Sequence, residues 1–118
     1  MRVLRRRGAR FAFLHGSRAA GSARPDSDVD VAAWFGRSDH PTSWELAAEI
    51  GGQVDVLVLD GAPLELAGRV ALHGTLLFDD DPSARVAWQA DTRVVYLDEE
   101  PLQREFDRVF KEGRTRGR

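Results

Sequence analysis

Two aspartates and a glycine–serine pair are the residues of this 118-residue chain whose types and spacing best suit chemistry. Asp28 and Asp30 are separated by one valine at the start of an apolar stretch. In an extended strand both carboxylates therefore lie on the same face. Neighbouring carboxylates repel each other, and a divalent cation makes their pairing favourable. Oxygen ligands of this kind suit magnesium, which completes its shell with waters and substrate phosphate.

The glycine–serine pair, Gly16 and Ser17, follows an apolar run and precedes a turn-forming segment. Gly16 has no Cβ, so a ligand can approach its backbone closely. The Ser17 hydroxyl and the amides of a helical turn starting there would donate to phosphate oxygens. The alternative is an ordinary strand-to-helix turn. Together with the aspartates, the pair predicts a phosphate-binding corner beside a metal site.

Other polar residues near this corner are weaker candidates. Arg18 suits phosphate recognition because its planar fork has several donors, but a loop arginine can equally be solvated. Ser27 precedes Asp28 and could orient that carboxylate by a hydrogen bond. His15 stands directly before Gly16, where a strand-end histidine with a local partner is the simplest interpretation.

Asp55 interrupts the apolar run 54–59, where an unpaired buried charge would be costly. If this run is a strand beside the one that begins at Asp28, Asp55 faces the same cleft. Three carboxylates on adjacent strands can hold two magnesium ions in a two-metal arrangement. Asp55 would then be the ligand nearest the attacking oxygen and a candidate general base.

The motif resembles that of the DNA polymerase β-like nucleotidyltransferases: Gly16-Ser17, ten intervening residues, then Asp28-Val29-Asp30. The strand with Asp55 and the helix–glycine–strand segment 69–78 extend this resemblance over roughly residues 11 to 110. The small size is similar to that of the minimal nucleotidyltransferase (MNT) domains of prokaryotes. These domains are often encoded beside a helical HEPN-domain toxin and act as its antitoxin.

The resemblance implies an enzyme that uses ATP and two magnesium ions to transfer AMP to a hydroxyl, such as a tyrosine of a cognate HEPN-type ribonuclease toxin. Asp28, Asp30 and Asp55 would be the metal ligands, and a hetero-oligomer with the toxin is expected. One alternative is a non-catalytic antitoxin that neutralises its partner by occlusion. Another is an antibiotic adenylyltransferase, although such enzymes usually carry an added helical domain. The N-terminal helix common in relatives is expected to be absent.

The pattern of apolar runs and turn residues predicts one domain of the α/β (α+β) class, with a small mixed sheet of about four strands and helices packed on it. The predicted strands are 10–15, 28–35, 54–59 and 75–78, and the predicted helices are 43–50, 63–72, 82–97 and, after a break at Pro101, 101–112. The last helix has apolar residues on one face, including Phe106 and Phe110. It is expected either to pack on the sheet or to bind the partner.

Composition narrows the class of protein. The chain has no cysteine, so disulfides and zinc–thiolate sites are excluded. No apolar run approaches the roughly 20 residues needed to span a bilayer, and a cytoplasmic protein is expected. The formal net charge of −2 argues against direct nucleic-acid binding. The arginines crowded at both termini are expected to be solvated.

Overall fold

A four-stranded mixed sheet carries helices on both faces. The structure is a computed structural model that describes the backbone of residues 2–16 and 29–115 and the side chains of residues 2–16 and 29–98. In chain order the elements are α1 (Arg2–Arg6), β1 (Phe11–His15), β2 (Val29–Trp34), α2 (Ser43–Ile50), β3 (Val54–Val58), α3 (Leu64–His73), β4 (Thr75–Asp79) and α4 (Pro82–Thr115). The predicted fold class is confirmed.

The strand order is β3-β2-β1-β4, with β2 and β3 parallel and the other two pairs antiparallel. Asp60, just after β3, accepts hydrogen bonds from the backbone amides of Phe35 (2.8 Å) and Gly36 (2.7 Å). These two bonds tie the end of β2 to the end of β3. The relative position of the two strands is therefore fixed at the end opposite Asp30 and Asp55.

Successive side chains of a strand point to opposite faces of the sheet, so the apolar core is divided into two clusters, one on each face. Val31, Ala33 and Phe35 pack with Leu4 of α1 and Leu46 of α2 on one face. The other face carries a second set of apolar residues, which are Phe11, Phe13, Ala32, Trp34, Leu57, Val70 of α3 and Trp88 of α4. This second face is the one that Asp30 shares with Ala32 and Trp34.

Aromatic packing holds α4 against the second face. The Phe11 ring stacks on Trp34 with 5.1 Å between centroids, and Trp88 lies 5.7 Å from Phe11. Helix α3 packs tightly on α4, because a Cβ at Gly68 would collide with the Tyr96 ring. The first half of α4 thus belongs to the core.

The predicted helix break at Pro101 is wrong. Helix α4 continues through this residue to Thr115. A proline in a helix removes one backbone donor and crowds the preceding turn. In a helix of 34 residues, that local loss leaves the hydrogen bonds on both sides in place. The side chains of Phe106 and Phe110 lie outside the described residues, so their assignment to an interface stays a prediction.

The expectation about the N-terminus is also wrong, because residues Arg2–Arg6 form a short helix. Its arginines are not simply solvated. Arg5 pairs with Asp80 at 2.9 Å, and Arg6 and Arg7 both pair with Glu49, at 3.0 and 2.7 Å. Hydrogen bonds from these two arginines lower the pKa of the Glu49 carboxyl. The basic cluster therefore binds α1 to α2 and to the end of β4.

The starts of two helices differ slightly from the predicted ones. The N-cap of α2 is Thr42 rather than Ser43, because Thr42 and Glu45 form a capping box. Helix α3 begins at Leu64, with Pro63 as its N-cap residue. Among the residues that the structure describes, no helix is long and apolar enough to cross a membrane.

Candidate functional site

Two of the predicted metal ligands lie side by side on neighbouring strands. Asp30 is the second residue of β2, Asp55 is the second residue of β3, and the parallel pairing places them in register. Residues in register on adjacent strands share a face and lie about 5 Å apart at their backbones. Asp30 is half-buried, whereas Asp55 is exposed because β3 is an edge strand. The expected cost of burying Asp55 therefore does not arise.

His15 lies in the same row. The antiparallel pairing of β1 with β2 places His15 opposite Asp30, so His15, Asp30 and Asp55 succeed one another across three strands. Burial lowers the pKa of the His15 imidazole, while the negative charge of Asp30 and a hydrogen bond with the Val31 backbone act in the opposite direction.

Gly16 lies directly against the carboxylate of Asp30. Its φ is +78°, a conformation that side chains rarely adopt. A Cβ built on Gly16 would collide with Asp30 Oδ2 and would stand 3.2 Å from Asp30 Cγ. The predicted phosphate-binding corner and the half-buried carboxylate are therefore in contact, and only glycine meets both conditions at this position.

The row marks the polar end of an otherwise apolar sheet face. Further along the same face, β1 contributes Phe13 and Phe11, and β2 contributes Ala32 and Trp34. Helices α3 and α4 cover that apolar part. The aromatic core therefore positions the strands, and their polar ends lie together at the end of β1 and the start of β2 and β3.

The remaining predicted site residues, which are Ser17, Arg18, Ser27 and Asp28, lie outside the described residues. Their roles stay predictions. Since Asp28 stands two residues before Asp30, an extended chain would place it on the same face. Within residues 2–16 and 29–98 no three histidine, aspartate or glutamate side chains are close enough to hold a metal ion. A complete magnesium site at this row therefore needs a ligand such as Asp28.

The donor set nevertheless fits magnesium. Several carboxylates of this arginine-rich chain form ion pairs, among them Asp79 with Arg85 at 3.0 Å and Asp81 with Arg10 at 3.1 Å. In the part of the chain whose side chains are described, no lysine or arginine pairs with Asp30 or Asp55. Two adjacent carboxylates are oxygen ligands of the kind that Mg²⁺ prefers.

The place of His15 opposite Asp30 was not predicted from the sequence. Its position before Gly16 was visible, but its place opposite Asp30 depends on the register between β1 and β2. A segment of 13 residues, 16–28, separates those strands, so no short turn reveals the register. Alternation alone would have shown that His15 shares a face with Phe13 and Phe11.

The fold is that of the polymerase β-like nucleotidyltransferases. Residues 2–83 match the family described as "Polymerase beta, Nucleotidyltransferase", and the chain belongs to that family. The resemblance of the sequence to the DNA polymerase β-like nucleotidyltransferases is therefore confirmed at the level of the family. No match to a curated protein was found.

Several solved structures share the fold over nearly the whole chain. One, described as a toxin–antitoxin with AMP-PNP, is 24% identical with a TM-score of 0.74, covering 94% of this chain and 92% of that one. A MntA–HpeT toxin–antitoxin mutant, with two aspartates two positions apart replaced by glutamate, is 21% identical with a TM-score of 0.72 and coverages of 94% and 92%. A third structure, a tri-AMPylated Shewanella oneidensis HEPN toxin in complex with MNT antitoxin, is 22% identical with a TM-score of 0.66. The match covers 94% of this chain and 89% of that one.

Proposed function

We propose that this protein is a magnesium-dependent nucleotidyltransferase that transfers AMP from ATP to a tyrosine hydroxyl of a cognate HEPN-type toxin, and so acts as its antitoxin. The observation that carries the proposal is the register of Asp30 with Asp55, with Gly16 packed against Asp30. It places two carboxylates beside the predicted phosphate-binding corner in a chain of the nucleotidyltransferase family.

This placement supports the following reaction. The acceptor oxygen would form a bond to the α-phosphorus of ATP, the bond between that phosphorus and the oxygen that bridges the α- and β-phosphates would break, and pyrophosphate would leave with that oxygen. Asp55, exposed at the edge of the sheet, would accept the hydroxyl proton. Asp28, Asp30 and Asp55 would hold two magnesium ions, which when bound would supply activation of the acceptor oxygen and neutralisation of charge on the phosphate groups. Gly16, Ser17 and Arg18 would bind the triphosphate.

Similarity to antitoxins supports the choice of partner. The similar structures include a toxin–antitoxin with AMP-PNP and a tri-AMPylated HEPN toxin in complex with MNT antitoxin. An exposed apolar stripe on α4, formed by Val86, Val94 and Leu97, is consistent with a protein acceptor. We propose a cytoplasmic hetero-oligomer of the two proteins.

Transfer to a partner is tested with ATP labelled on its α-phosphate and the small helical protein encoded by the neighbouring gene. We expect the wild-type chain to label the partner on tyrosine. Asp55→Ala should lower the labelling rate by at least about a hundredfold, because it removes a ligand and the proton acceptor. The two proteins should still associate, which size-exclusion chromatography would show.

Two outcomes would contradict the proposal. If Asp55→Ala neutralises the toxin in cells as well as the wild type does, occlusion is the mechanism. If an aminoglycoside is labelled and the partner is not, the protein is an antibiotic adenylyltransferase. Glu65→Ala is the matched control, because Glu65 is an exposed carboxylate of α3 whose ion pair with Arg69 is local to that helix; it should label normally.

A further inference from the structure

The outer edge of β3 is the side of the sheet at which the row of His15, Asp30 and Asp55 ends. In the part of the chain that the structure describes, β3 pairs with β2 alone, so its other side meets no strand. Asp55 is exposed at this edge. If Asp55 accepts the proton of the acceptor hydroxyl, the partner must deliver that hydroxyl here.

The backbone of β3 uses only alternate residues to bond β2. The amide of Val29 donates to the Gln53 carbonyl (2.9 Å), and the amide of Leu59 donates to the Ala33 carbonyl (2.8 Å). Successive residues of a strand turn their N–H and C=O groups to opposite sides in the plane of the sheet. The odd-numbered residues of β3 therefore face β2, and the even-numbered residues turn their backbone donors and acceptors outward.

Asp55 lies between two of these outward-facing residues. The side chains of Val54 and Val56 pack on the face that carries α1 and α2, whereas Asp55 points to the opposite face, which it shares with Asp30. An extended segment that paired with β3 would bond to the backbone of Val54 and Val56. Its residue opposite Asp55 would then lie on the same face, about 5 Å away at the backbone. The row would thus continue from Asp30 through Asp55 to the acceptor residue.

The composition of β3 favours pairing at this edge. Natural edge strands are commonly protected by lysine, proline, a bulge or a covering element. Strand β3 reads Val-Asp-Val-Leu-Val and contains neither proline nor a basic residue. Its one charged side chain is Asp55, which the proposed reaction already uses. The other edge strand, β4, has a register shift in its pairing with β1, as a bulged edge has, whereas the pairing of β3 with β2 is regular.

We propose that an extended segment of the partner, carrying the acceptor tyrosine, binds as an added strand along the outer edge of β3 and so places the tyrosine beside Asp55. This inference rests on the proposed function, because it concerns how the same reaction receives its acceptor. Main-chain hydrogen bonds would supply the affinity, and the face that Asp55 occupies would select the residue whose hydroxyl reaches the site.

The first test removes one outward donor and leaves the carboxylates in place. Val56→Pro lacks the amide hydrogen that the added strand would use, and proline is tolerated in an edge strand where its nitrogen faces away from the sheet. With the small helical protein encoded by the neighbouring gene as acceptor, we expect the efficiency of AMP transfer to fall by at least about tenfold, mainly through a higher KM for the partner. Magnesium-dependent binding of a non-hydrolysable ATP analogue should change by less than about twofold. Val56→Ala keeps the amide hydrogen and should transfer within about twofold of the wild type.

A second measurement does not depend on a variant of this chain. Amide hydrogen exchange of the full, isotopically labelled chain is followed by NMR, with a partner in which the acceptor tyrosine is replaced by phenylalanine. We expect exchange of the Val56 and Val58 amides to slow by at least about tenfold when the partner binds. The Asp79 amide is the control, because it faces the outer edge of β4: the next amide, of Asp80, donates to the Arg10 carbonyl. Its exchange should not change.

The outcomes separate this inference from the function on which it rests. If the wild-type chain transfers no AMP to the partner, the proposed function is contradicted, and this inference with it. If transfer occurs but Val56→Pro matches the wild type, or Val56→Ala loses as much as Val56→Pro, the added strand alone is overturned. Unchanged exchange of the Val56 and Val58 amides on binding also overturns it, and this measurement decides the question if Val56→Pro does not fold. Circular dichroism and the melting temperature show whether each variant is folded.

Discussion

Asp30→Asn is expected to lower AMP transfer by at least about a hundredfold, with little change in the stability of the fold. The substitution keeps the size of the side chain and removes its charge. Asp30 is half-buried beside Asp55, so its charge is less screened than that of a surface carboxylate. Losing a charged ligand in such a site removes stabilisation of the transition state. Initial rates of pyrophosphate release in the presence of the partner measure this effect.

The control for this prediction is Asp39→Asn. Asp39 is an exposed aspartate in the loop after β2, and its closest basic neighbour is Arg37 at 3.6 Å. Transfer by this variant should match that of the wild type. An Asp30→Asn protein that retains more than about a tenth of wild-type transfer would show that the carboxylate of β2 is not a metal ligand.

Gly16→Ala is expected to reduce transfer by more than about tenfold, because the new methyl group occupies the space of the Asp30 carboxylate. Two costs combine at this position. The positive φ of +78° disfavours any side chain by about 1–2 kcal/mol. The Cβ would also collide with Asp30 Oδ2, so either the carboxylate or the chain at Gly16 has to move. The rate of AMP transfer and the melting temperature measure the two costs separately.

Gly51→Ala isolates the backbone cost. Gly51 ends α2 with a φ of +81°, and a Cβ there would meet no atom within 4 Å. Gly16→Ala should lose at least as much stability as Gly51→Ala, because the collision with Asp30 adds to the backbone cost, and only Gly16→Ala should lose transfer. Equal transfer by the two variants would show that contact between Gly16 and Asp30 has no part in the reaction.

The arrangement of the sheet followed from local signals in the sequence. Runs of β-branched and aromatic residues marked the strands, and Gly51 and Gly74 marked helix ends near the observed ones. The adjacency of Asp30 and Asp55 needed one further assumption, namely that the two strands are neighbours. Parallel strands joined by a helix commonly are, and the order β3-β2-β1-β4 confirms it here.

Features that depend on distant contacts were missed. Helix α1 is only 5 residues long, too short to be stable alone, and its arginines find partners in Glu49 and Asp80, far along the chain. The low helix propensity of proline disfavours a helix at residue 101, but one such residue does not end a helix of 34 residues. The position of His15 opposite Asp30 depended on a register that the sequence leaves open.

The most direct test of the metal-binding row is a calorimetric titration of the chain with a non-hydrolysable ATP analogue, in the presence and absence of magnesium. The wild type should bind the analogue strongly only with magnesium. The double variant Asp28→Asn with Asp30→Asn should remain folded and lose that magnesium-dependent binding. Equal magnesium-dependent binding by the wild type and the double variant would contradict the assignment of these carboxylates as the metal site.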